Sequence, residues 1–86
     1  MSSIVSNVKA LILKRKGESI EFDDWEFATF ISERYSKKQV AVLTKCLSGV
    51  PVDTIVKECK VAESRVLNWT CDCVDSFYRM KKLSAK

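Results

Sequence analysis

The sequence predicts an all-α fold, a small bundle of about five helices with a long last helix. Three observations carry that expectation. Apolar residues recur at three- and four-residue steps through most of the chain. Helix start and stop signals stand between those runs. Only two Gly and one Pro occur in 86 residues, too few for the many turns of a β-rich chain. With 47% hydrophobic residues the chain can bury a compact helical core. It reads as one domain over 1–86, with a helical pair over 1–34 and a helix-turn-helix module over 35–83.

The first helix carries Ile4, Val8, Leu11 and Ile12 on one face, with Ser3 or Ser6 as its cap. Its basic end, Lys14-Arg15-Lys16, suits a helix C-terminus, and Gly17 ends it. Such a helix either packs on the core or serves as a basic arm, and packing is the simpler expectation. Glu18–Phe22 reads as a connector with an alternating Ser19-Ile20-Glu21-Phe22 piece. One strand alone would have nothing to pair with. Asp23 and Glu26 form the next helix start. Phe27, Phe30 and Ile31 give that helix an aromatic face for the core.

Ser36-Lys37-Lys38-Gln39 is a capping box, and Tyr35 with Val40 offers a hydrophobic staple. Val40, Leu43 and Leu47 then recur at helical spacing, with Ala41 and Cys46 beside them. Gly49 stands where a helix end wants a left-handed residue. Pro51 fits the first turn of the next helix, whose short apolar face is Ile55, Val56 and Cys59. Val61 ends a short turn, and Glu63 suits the first turn of the last helix. Val66, Trp69, Cys73, Phe77 and Met80 form the stripe of that helix. Helix, tight turn, short helix, three-residue turn and long helix is the order of a helix-turn-helix.

The segment 36–77 resembles the DNA-binding module of LuxR-type regulators and, more loosely, region 4 of sigma factors. Leu47, Gly49, Val50, Ile55, Val61 and Val66 occupy that family's positions at its spacing. The chain departs from the pattern at Pro51, where a capping Ser or Thr is usual. It departs again at Lys60, in place of a turn glycine, and at Ala62, in place of a capping Ser. The resemblance covers about half the chain. It implies that the last helix enters the major groove of double-stranded DNA and that the end of the domain pairs two copies.

On that reading Ser64, Arg65 and Asn68 reach base edges, Asn68 suiting adenine and Arg65 guanine. Lys37, Lys38, Thr54, Lys57 and Lys60 contact phosphates. Exposed lysines are also ordinary solvated residues. Phe77, Tyr78, Met80 and Leu83 form the surface for a homodimer or another partner. The expected protein is then a small sequence-specific transcriptional regulator. The alternative is a protein-interaction module that binds RNA polymerase or another regulator through its acidic segment and last helix.

Charge runs in blocks. Residues 1–17 hold four bases and no acid, and residues 18–33 hold six acids and no base. Residues 34–65 hold seven bases against three acids, and the net charge is +4. A basic module fits a phosphate partner. Glu63, Asp72 and Asp75 fall on or near the presumed groove face and oppose it, as do the apolar Leu67 and Cys71. A left-handed Lys60 would cost ~1 kcal/mol.

No run approaches the ~20 apolar residues of a membrane span, so no membrane partner is expected. The N-terminus does not read as a secretory signal, and four cysteines then suggest reduced thiols in a cytoplasm. Cys71 and Cys73 are two apart on a helix and point apart, Cys46 and Cys59 are remote, and histidine is absent. No metal site or cofactor is expected. Without a histidine base, a nucleophile elbow or a phosphate-binding glycine loop, no enzyme is expected either.

Overall fold

Ser36 opens the module as its spacing predicts. Its hydroxyl accepts from the Gln39 amide at 3.3 Å, and the Gln39 side chain accepts from the Ser36 amide at 3.1 Å. In the computed structural model, which describes residues 3–84, five helices follow one another without a strand among the described residues. They are α1 (Ser3–Lys16), α2 (Asp24–Arg34), α3 (Lys37–Leu47), α4 (Val52–Cys59) and α5 (Glu63–Ser84).

The joints are built from local chemistry. α1 begins at Ser3, so Ser6 lies inside the helix and does not cap it. The Ser3 side chain lies outside the described residues. Gly17 closes α1 at φ 74°, its amide donating to the Leu13 carbonyl at 2.9 Å. The stretch 18–22 forms no strand, yet Phe22 at its end is buried. Asp23 caps α2 by accepting from the Glu26 amide at 2.8 Å. At the end of α3 the Gly49 amide donates to Cys46 and the Val50 amide to Lys45, with Gly49 at φ 101°. That pair of bonds is a Schellman close, which turns the chain back sharply. Pro51 stands at the cap of α4, one residue outside the first turn where it was expected.

Two apolar clusters hold the helices. The larger joins Val8 and Ile12 of α1, Phe22, and Phe27, Phe30 and Ile31 of α2 to Leu43, Leu47, Cys73, Val74 and Phe77. α1 is therefore core, and residues 4–34 share one core with the module. Phe77 is the hub: its ring lies 4.7, 5.1 and 5.1 Å from those of Phe22, Phe27 and Phe30 in edge-on contacts. The smaller cluster is Val42, Ile55, Val61 and Val66, one contribution each from α3, α4, the turn and α5. Val42 was not anticipated as core. It lies on the side of α3 away from Val40, facing α4 and α5. Trp69 packs against both clusters.

Polar contacts finish the assembly. Asn7 of α1 donates to the Leu47 carbonyl at 2.6 Å, satisfying one of the last acceptors of α3. The Lys45–Glu58 pair at 3.0 Å ties α3 to α4. Among the described residues no helix is long and apolar enough to cross a membrane.

Candidate nucleic-acid interface

The α4–α5 turn is three residues, and each has a separate task. Lys60 takes the left-handed conformation, φ 55° and ψ 48°, and reverses the chain. Val61 points into the smaller cluster. The Ala62 carbonyl accepts from the Arg65 and Val66 amides at 3.0 and 3.2 Å, which makes Ala62 the cap of α5. Because Ala has no side-chain acceptor, the opening amides of α5 lack the usual side-chain partner.

Val66 and Thr70 face inward from the start of α5, and the Thr70 hydroxyl donates to the Val66 carbonyl at 2.8 Å. That orientation turns Glu63, Ser64, Arg65, Leu67 and Asn68 to solvent. The expected base-reading residues Ser64, Arg65 and Asn68 therefore share the exposed first turns of one helix. Lys57 and Lys60 are exposed beside them on α4 and the turn, whereas Thr54 is half-buried. Lys37 and Lys38 ride on the first turn of α3, at the end away from α4. A hydrogen bond of 2.9 Å from the Tyr35 hydroxyl to Asp72 brings that end beside α5, one turn beyond Asn68. Burial and this bond push the Tyr35 hydroxyl pKa up, burial being the larger cause.

The cations divide into two groups. Lys9, Arg15, Lys16, Lys45, Lys81 and Lys82 each pair with a carboxylate of the chain. Lys14, Arg34, Lys37, Lys38, Lys57, Lys60, Arg65 and Arg79 make no ion pair among the described residues. The four lysines expected at a phosphate backbone, and Arg65, expected at a base edge, are among those left for an outside anion.

The acids divide differently from the sequence expectation. Asp75 does not face the presumed groove. It points to α1, where Arg15 holds it at 3.1 and 2.9 Å and Lys16 at 3.5 Å. The hydrogen bond from Arg15 holds its carboxyl below the ordinary range. Asp72 is engaged by Tyr35. Glu63 remains exposed at the start of α5, and Asp53 at the start of α4. In the acidic segment, Glu18 pairs with Lys82, Glu21 with Lys9 and Glu26 with Lys81. Asp23, Asp24 and Glu33 make no ion pair among the described residues, so half of its charge is met inside the chain.

The expected partner surface needs correction. Phe77 is fully buried in the larger cluster and offers nothing to a partner. Tyr78 is half-buried, donates to Glu18, and lies beneath the Lys16 ammonium at 5.5 Å. Met80 is half-buried and Leu83 exposed. Trp25 was overlooked, although it is the most exposed large apolar side chain at 80%. The sequence held a signal for it: Trp25 sits out of phase with the Phe27–Phe30–Ile31 stripe, between two acids.

All four thiols are free. Cys71 is exposed and Cys73 buried, so the two diverge as helix geometry requires. Burial pushes the Cys73 thiol up to about 12. Among the described residues no set of three or more His, Cys, Asp or Glu side chains is placed to hold a metal ion. The chain matches no protein-family model, no curated protein and no solved structure at a significant level.

Proposed function

We propose that this chain is a small DNA-binding regulator that reads the major groove with the first turns of α5. Carrying the reading is the distribution of unpaired positive charge. Lys37, Lys38, Lys57, Lys60 and Arg65 have no carboxylate partner among the described residues, and neither do Lys14, Arg34 and Arg79 elsewhere, while six other cations have one. The likeness of 36–77 to LuxR-type modules supports it, as does the exposure of Ser64, Arg65 and Asn68 together on one helix. Pairing Asp75 with Arg15 turns one of the three opposing carboxylates inward, while Asp72, held by the Tyr35 hydroxyl, stays exposed.

In this mechanism the lysines set the register on the phosphates, and Arg65 and Asn68 discriminate bases. The acidic-segment alternative is less favoured, because Glu18, Glu21 and Glu26 are already paired with lysines of the chain.

Selection from a random duplex pool, followed by a salt titration, tests the proposal. Enriched sites are expected, with log affinity falling by about 0.9 per phosphate contact for each decade of salt. The Arg65→Ala, Asn68→Ala double variant should keep non-specific binding and lose the site preference. A folded sample that binds no duplex at low salt would remove the proposal.

A further inference from the structure

We propose that Arg34 and Arg79 together hold a backbone phosphate of the bound duplex, on the strand that flanks the groove read by α5. The contact rests on the DNA-binding reading above and extends it past the turns that meet base edges. An open hollow of about 200 Å³ lies where the end of α2 meets the C-terminal half of α5, bordered by Arg34, Ser76, Arg79, Met80 and Leu83. Two guanidinium groups thus share one hollow, and none of the five bordering residues is an acid. Both arginines are exposed, and neither makes an ion pair among the described residues.

The carboxylates nearest in sequence are turned elsewhere. Asp75, four residues before Arg79, is held by Arg15 and Lys16. Asp72 accepts from the Tyr35 hydroxyl. Glu33 borders the neighbouring hollow, which Arg34 also touches, and not this one. The Arg34 guanidinium rests on the Phe30 ring at 5.1 Å, so its planar fork is held before an anion arrives. Two like charges at one hollow repel until an anion sits between them, and guanidinium forks suit phosphate oxygens.

Position favours a duplex phosphate over a free one. Arg65, Asn68, Asp72, Ser76 and Arg79 follow one another along α5 at steps of three and four residues, so they keep to one side of the helix. Arg79 therefore lies on the side of the base-reading residues, roughly 21 Å beyond Arg65 at about 1.5 Å per residue. The major groove is only about 12 Å wide. With Arg65 and Asn68 at base edges, Arg79 falls past the groove wall, where phosphates stand and base edges do not. Lys37 and Lys38 ride on the first turn of α3. The Tyr35–Asp72 bond holds that turn beside α5, midway between Arg65 and Arg79.

Salt titrations of duplex binding by the full chain test the clamp. The Arg34→Gln, Arg79→Gln double variant should bind about tenfold more weakly, and equally so for every sequence. Its log affinity should fall by about 0.9 less per decade of salt than that of the wild type. The enriched site should stay the same. A scan of single methylphosphonate linkages, each removing one phosphate charge, then finds the phosphate. One linkage beside the enriched site should weaken wild-type binding by a similar factor and leave the double variant unaffected. Circular dichroism checks that the double variant remains helical. A folded wild-type chain that binds no duplex at low salt overturns the DNA reading and the clamp together. Duplex binding with the same salt slope in the double variant overturns the clamp alone, as does a scan in which every flanking linkage affects both chains alike. An Arg79 side-chain NMR signal that shifts with inorganic phosphate, while the duplex measurements stay unchanged, assigns the hollow to a free anion and also overturns the clamp alone.

Discussion

Arg15 of α1 grips Asp75 of α5 with two parallel hydrogen bonds, of 3.1 and 2.9 Å, across 60 residues of sequence. This clamp, with Lys16 adding a third contact, docks the first helix against the last. Its pH dependence has a definite sign. The Asp75 carboxyl is held below its ordinary value by the Arg15 hydrogen bond. A depressed carboxylate contributes stability that is full above the unfolded value, about 3.9, and is lost as pH falls through the folded one. Asp75→Asn should therefore lower the urea midpoint at pH 7. The gap between variant and wild type should begin to narrow below about pH 4 and close only once pH has fallen past the depressed folded value, where the wild-type carboxyl is neutral too. A gap of constant size down to pH 2 would contradict this account.

Lys60 at φ 55° and Ala62 at the α5 cap are two local mismatches in one turn. Lys60→Gly should stabilise the fold by about 0.5–1 kcal/mol, because glycine enters the left-handed region without strain. Ala62→Ser should add about 1 kcal/mol by giving the opening amides of α5 an acceptor. Thermal melts would read both as a rise of roughly 4–8 °C per kcal/mol. If Lys60 also meets a phosphate, Lys60→Gly should reduce the salt slope of DNA binding by about 0.9 while raising the melting temperature.

Phe77 is the ring on which Phe22, Phe27 and Phe30 converge. Phe77→Ala should cost about 3–5 kcal/mol, a large share of the stability of a domain this small. Denaturant titration should show the loss at the midpoint, with a nearly unchanged slope. A loss below 1 kcal/mol would mean that the three other rings close the gap.

The thiols should label in order of access. Cys71 is exposed and Cys73 fully buried, with its thiol pushed up to about 12. Thiolate is the reactive form, so iodoacetamide at pH 8 should modify Cys71 first and Cys73 only after unfolding. Peptide mass mapping after a short exposure distinguishes the sites. Early modification of Cys73 would show that α5 opens without global unfolding.

The parts that were legible in the sequence are those governed by near neighbours. Ser36 with Gln39, Asp23 with Glu26, and Gly49 after Leu47 are set by chemistry within three or four residues, and each stands where its spacing places it. The left-handed Lys60 was foreseeable only through the resemblance, because a LuxR-type module carries its turn glycine there. Periodicity fails where a residue packs without a repeat. Phe22 follows an irregular stretch yet joins the core, because the chain folds back onto Phe27 and Phe77. Val42 escaped because α3 is buried on two sides and a single stripe describes only one of them. Phe77 was assigned to a surface although it shares the stripe of Val66, Trp69 and Cys73, and the stripe was the better guide. The ion pairs of Asp75, Glu18 and Glu26 join residues 55 to 64 apart, beyond any local rule. The exposure of Ser64, Arg65 and Asn68 followed from the phase of Val66. The freedom of Arg65 from internal salt links is visible only once the ion pairs of the other cations are placed.

Trp69, wedged where the two apolar clusters meet, makes the molecule its own spectrometer. Its indole is half-buried, while the chain's other indole, Trp25, stands in water. Emission from the two therefore differs in colour and in access to a quencher such as iodide. Loosening of the α3–α4–α5 end shifts the bluer component, and anything that covers Trp25 protects the redder one. A single unlabelled sample can thus report on both ends of the protein at once.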